Sequence, residues 1–151
     1  MEISEEEQSY TDFDWFCLDE ADHIGHFATA GFKSLPLSVA RSAENLESLT
    51  QFFMGLAATT NSRIDASLTP EKRTERFLRS YVAMADRGLF SYDIDTYLTP
   101  GIHYYRVASP VQPLRFESLP VHIRQILSLT RLAGVVFAES SLVSYELTLG
   151  V

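Results

Sequence analysis

The sequence predicts an α+β fold: an antiparallel sheet built from three hairpins, with two main helices and one short helix, in the order ββααββαββ. Three observations predict it. Apolar residues alternate with period two in several short runs, they recur at three- and four-residue steps in two longer ones, and the links between paired runs are short. With 151 residues, 46% of them apolar, the chain is long enough to bury a core as a single domain spanning 1–151.

Taken in order, residues 12–18 and 23–29 are aromatic-rich runs separated by Asp19-Glu20-Ala21-Asp22, whose acids suit a turn because they bond their own backbone. Gly31 in the following loop is free to take a positive φ. Leu46, Leu49, Phe53 and Leu56 place a helix over 43–58, with Ser42 as its N-cap. Thr69-Pro70-Glu71 opens a second helix that runs to about Arg87, where Gly88 suits a left-handed C-terminal residue. Phe90, Tyr92 and Ile94 then alternate with polar neighbours as a strand, and Tyr97 to Gly101 link it to a partner over 102–108. A short helix over 120–128 precedes two last strands, 132–138 and 142–149.

The charge of −8 is placed unevenly. Nine acids and no Lys or Arg occupy residues 1–22, whereas the rest of the chain holds eleven acids against twelve bases. Residues 1–10 read as a flexible acidic tail. Asp12, Asp14, Asp19, Glu20 and Asp22 lie on or beside the first hairpin, which should hold them in fixed positions, and they are the candidate partner-binding residues. Such a surface repels nucleic-acid phosphate and anionic lipid and steers a basic protein partner. The lone Cys17, the N-terminus without a basic and apolar leader pattern, and the lack of a long apolar run point to the cytoplasm, with no membrane partner.

Motifs that could carry chemistry fail on spacing. In GHFATAGFKS, five residues separate Gly25 from Gly31 and Phe32 intervenes before Lys33, so a phosphate loop is not formed. Asp19, Asp22, His23 and His26 have the letters of a metal site, but histidines three apart on a strand project to opposite faces. Cys17 sits between apolar residues with acids nearby, which disfavours a thiolate. Asp93 and Asp95 share a strand face, and Lys72, Arg73, Arg76 and Arg79 sit together on a helix with Glu71 and Glu75 among them; both sets read as solvated faces. No cofactor, metal or catalytic residue is therefore assigned.

Residues 14–31 carry Trp15, Phe16, Asp19, Thr29 and Gly31 in an arrangement that resembles the opening hairpin of uncharacterised bacterial proteins, W-F/Y-x-x-D-x-x-G-x-x-x-F-x-T-x-G. Gly25 and Phe27 lie closer together than in that pattern, and Tyr105, Pro110, Pro113 and Leu114 add a second, shorter likeness. Some of those proteins resemble immunity proteins, which neutralise a toxin by binding it. The resemblance implies no catalytic residues and gives Trp15 and Phe27 the role of anchoring the fold. The leading expectation is thus a non-enzymatic protein-binding domain of immunity type. The competing one is a small ligand-binding domain or enzyme with a polar pocket formed by His26, Asp93, Tyr104 and Tyr105, and self-association stays open as a third.

Overall fold

The computed structural model describes residues 1–31, 34–95 and 102–151. Among them six strands form one sheet in the order β1-β2-β4-β5-β3, with β6 also paired to β5. The strands are β1 (Asp14–Leu18), β2 (Ile24–Ala28), β3 (Ser62–Ile64), β4 (Phe90–Asp95), β5 (His103–Pro110) and β6 (Leu142–Ser144). The helices are α1 (Glu5–Tyr10), α2 (Leu37–Ala40), α3 (Ala43–Met54), α4 (Glu75–Asp86), α5 (Val121–Leu127) and α6 (Tyr145–Leu149). The mixed α+β composition is as expected, but the sheet is not purely antiparallel and the order of elements differs. β2 and β4 run parallel, with Gly25 beside Phe90 and Phe27 beside Tyr92. The intervening α2, α3, β3 and α4 act as a crossover that returns the chain in the same direction, which a tight hairpin cannot do.

The first hairpin forms where the aromatic runs and turn acids place it, and β4 pairs with β5 as expected. The expected link over 97–101 lies outside the described residues. Ser42 caps α3 through Asn45 N–H, and α3 ends at Met54, earlier than expected, with Gly55 following. The second long helix is divided: Pro70–Arg73 form a 3₁₀ turn, and Thr74 caps α4 by accepting from Phe77 N–H. Gly88 has φ +98° as anticipated, and a Cβ there would stand 2.6 Å from Leu114 N. Gly31 likewise takes φ +91°.

The C-terminal third departs most from expectation. Leu132 to Ala138 are not a strand, although Leu132, Val135 and Phe137 are buried. Their apolar run packs as an irregular segment whose backbone is satisfied by the end of β1: Leu132 N–H donates to Leu18 O at 2.8 Å and Glu20 N–H to Val135 O at 2.9 Å. The alternation over 142–149 yields only the three-residue β6, because Ser144 caps α6 through Leu147 N–H and Glu146 sits in the helix's first turn. Residues 1–10, anticipated as a flexible tail, are folded onto the body. Ile3 is buried and its N–H donates to Ala40 O, Ser4 caps α1, and Gln8 bridges Ile3 O and Leu35 N–H.

The sheet has two unlike faces. On one, Phe16 meets Phe53 of α3 (ring centroids 4.8 Å) and His26 lies beside Tyr81 of α4 (6.1 Å). On the other, Trp15, Phe27, Tyr92 and Tyr104 form an aromatic cluster under Phe137. Trp15 stacks on Phe27 at 4.5 Å and Phe27 on Tyr92 at 4.7 Å, so both hairpin aromatics are fold anchors. Gly25 makes this possible, since a Cβ there would stand 2.7 Å from Phe137 Cζ and 2.8 Å from Phe27 Cε1. Gly25→Ala should therefore cost about 1–3 kcal/mol in urea unfolding. Gly150→Ala, where the nearest atom is Leu147 O at 3.5 Å, should stay within about 0.5 kcal/mol; equal effects would contradict the packing account.

Candidate functional site

The five candidate acids do not form one surface. Asp12 and Asp14 lie at the open end of the first hairpin and Asp19, Glu20 and Asp22 at its turn, five residues along a strand or about 16 Å away. Asp19 is a correction: it is fully buried. Its Oδ1 accepts from Ala21 N–H at 2.9 Å and His23 N–H at 2.8 Å, and its Oδ2 accepts from Phe137 N–H at 2.8 Å. The carboxylate is an internal clamp between the turn and the C-terminal segment, out of reach of any partner. Asp22 has φ +62° and is paired with Arg131 at 2.6 Å, whose Nη1 also donates to Asp19 O. Its charge is met within the fold. Glu20 is exposed.

Asp12 and Asp14 instead join two acids that sequence patterning left aside. Between α1, the start of β1 and α3 runs a groove of about 350 Å³ with Glu7, Asp12, Asp14 and Glu47 at its rim and Ile3, Phe13, Ala43 and Leu46 on its floor. All four rim acids are exposed, and none of the residues lining the groove is Lys or Arg. Its wall is fixed where Phe13 N–H donates to Thr29 Oγ1 and Thr29 N–H returns to Phe13 O, at 3.0 and 2.9 Å. Glu7 was hidden by reading residues 1–10 as a tail. Glu47 sits on α3 one turn beyond Ala43, and only the docking of α1 places it opposite Glu7.

The polar residues of the competing pocket fall on opposite faces. Tyr104 is buried against Trp15, whose Nε1 donates to its hydroxyl at 3.4 Å. His26, Asp93 and Tyr105 lie on the helix side, where Tyr105 donates to Asp93 Oδ2 at 2.9 Å and Lys72 stands 3.9 Å over the Tyr105 ring. Ser91 Oγ is 2.7 Å from His26 Nδ1, and His26 Nε2 is 3.3 Å from Asp14 Oδ1. The row has the residue types of a hydrolase triad, but Ser91 is fully buried and the acid is the exposed member, so the would-be nucleophile has no approach for substrate. Cys17 is likewise buried, and that burial, with Asp19 nearby, pushes its thiol well above the ordinary value. The helix cations are largely committed: Lys72 pairs with Asp95 at 3.6 Å and Arg73 donates to Leu68, Asp65 and Ala66 carbonyls. Among the described residues no group of three His, Cys, Asp or Glu could hold a metal ion.

No family model matches the chain, and neither a curated protein nor a solved structure does.

Two carboxylates titrate in opposite senses. Burial raises Asp93 against the hydrogen bonds from Tyr105, Ile94 and Tyr81. For Asp65, burial is outweighed by hydrogen bonds from Ser67 and Arg106, which hold it below the ordinary aspartate range. A raised folded value means that stability is present below the unfolded aspartate range and lost as pH rises through the folded value. Asp93→Asn should remove that loss, flattening the fall in unfolding free energy on the alkaline side of the window. Asp65 works the other way, adding stability above the unfolded range that disappears as pH falls through its lowered value. Urea unfolding of the wild type and Asp93→Asn across acidic to neutral pH checks both signs, and identical profiles would contradict the assignment. Asp19→Ala should cost about 3 kcal/mol or more at neutral pH by orphaning three N–H groups, whereas Glu20→Ala should be near neutral.

Proposed function

We propose that this chain is a non-enzymatic protein-binding domain whose acidic groove receives a basic segment of a partner, with a bacterial immunity-type role as its most concrete form. The observation that carries the reading is the groove itself, four carboxylates around an apolar floor with no cation in its lining. An apolar floor supplies contact area, and carboxylates that no Lys or Arg of the lining opposes select cations and accelerate encounter. The occupant is a basic amphipathic segment whose apolar side chains meet Ile3, Phe13 and Leu46 while its cations meet Glu7, Asp12, Asp14 and Glu47. Charge excess alone would favour no particular place on the acidic N-terminal region; the floor does. Cytoplasmic residence belongs to the same reading, supported by the buried, unpaired Cys17. No helix of the described residues is long and apolar enough to cross a membrane.

Titration with a lysine-rich amphipathic peptide, followed through backbone amides, tests it. The shifts should gather at Phe13, Leu46 and Thr50, and Asp12→Lys with Glu47→Lys should weaken binding about tenfold, while Glu20→Lys at the far end of the hairpin should not. Added salt should weaken the wild type more than the reversed variant. Shifts spread over every acidic surface, or equal losses from Glu20→Lys, would contradict the groove as the binding site.

A further inference from the structure

A second concavity, distant in character from the acidic groove, has the opposite electrostatics. It encloses about 400 Å³ and is bounded by β3, the C-terminal end of β5 and His23 beside the hairpin turn. Arg63 and Arg106 line it, with Asp65 the one carboxylate, in a chain that carries −8 overall. That carboxylate is already engaged: Oδ1 accepts from Ser67 N–H and Oγ at 3.0 and 2.6 Å, and Oδ2 accepts from Arg106 Nε at 2.8 Å. Arg106 is also tied through Nη1 to Phe137 O, leaving its side chain 17% exposed and fixed in place. Its Nη2 makes no hydrogen bond among the described residues. Arg63, opposite Ser109 on an edge strand, has neither an ion pair nor a hydrogen-bonded side chain among them. His23 adds a ring lying 5.3 Å from that of Phe90, with its Nδ1 turned to Asp19 Oδ2 at 3.8 Å. Phe90, Ile64, Pro110 and Pro113 provide the apolar walls.

From these we infer that the cleft binds a small organic anion, a carboxylate or phosphate oxyanion joined to an apolar ring or short chain. The guanidinium of Arg63 supplies a forked donor matched to an oxyanion and Nη2 of Arg106 adds a further N–H, and a fixed Arg106 loses little freedom on engaging it. The apolar walls take the remainder of the ligand, and the volume suits a small molecule in an open, preformed site. The inference is independent of the acidic groove, which lies at the other end of the hairpin.

The full chain should be titrated with phenyl phosphate, benzoate and the uncharged benzyl alcohol, with amides read by NMR. The two anions should give saturable shifts at Ile64, Ala66 and Ser109, and the tighter of them identifies the preferred oxyanion. Arg63→Gln should weaken binding at least fivefold, about 1 kcal/mol, while Arg79→Gln, which removes the same charge from α4, should leave it unchanged. Arg63 is the residue to alter because removing Arg106 would strand Asp65. Absence of saturable shifts up to about 10 mM, equal binding of benzyl alcohol, or equal losses in Arg63→Gln and Arg79→Gln would each overturn the proposal.

Discussion

A carboxylate closed off from water, that of Asp19, ties the first hairpin to the last third of the chain. Three backbone N–H groups converge on it, two from the turn it begins and one from Phe137. Backbone donors replace the hydration that burial removes, which is the condition under which an ionised side chain can sit inside a protein. The consequence extends beyond the turn. Holding Phe137 N–H fixes the ring of Phe137 over Gly25, Phe27 and Tyr92, so an irregular segment closes a sheet face that a helix or second sheet would otherwise cover. Arg131 reinforces the same junction through Asp19 O and Asp22.

That clamp separates structural from available acids. Asp19 and Asp22 spend their charge inside the fold, on N–H groups and on Arg131. Asp12 and Asp14 instead stand at the rim of the groove between α1 and α3, where no Lys or Arg of the lining meets them and Asp14 has the His26 ring beside it. The acidic opening of the chain is thus a framework and a rim made of the same residue type, and burial distinguishes them where composition cannot. The arginines divide in the same way. Arg73, Arg87 and Arg131 mainly satisfy carbonyls and caps, whereas Arg63 is left over, in a cleft of opposite sign to the groove.

Much of the local structure was legible in the sequence. The first hairpin, the Ser42 cap, the left-handed Gly88 and the β4–β5 pair all depend on neighbours within a few residues, whereas the Thr69-Pro70 start opens only a 3₁₀ turn and Thr74 caps the helix. What escaped depends on distant ones. The parallel β2–β4 pairing is set by how two helices pack between hairpins, and the period-two run over 142–149 was overruled by a serine cap that patterning treats as one more polar residue. Leu132 to Ala138 looked like a strand because burial, rather than pairing, selects its apolar residues. Half of the groove rim was legible, Asp12 and Asp14; Glu7 and Glu47 are 40 residues apart and meet only through the tertiary fold.

Native-state hydrogen exchange at a single amide tests the Asp19 clamp most directly. If the carboxylate holds the C-terminal segment to the hairpin, Phe137 N–H, which belongs to no helix or strand, should exchange only through global unfolding, as slowly as the central amides of β2. Exchange of Phe137 N–H at the rate of an open loop, while β2 stays protected, would contradict it.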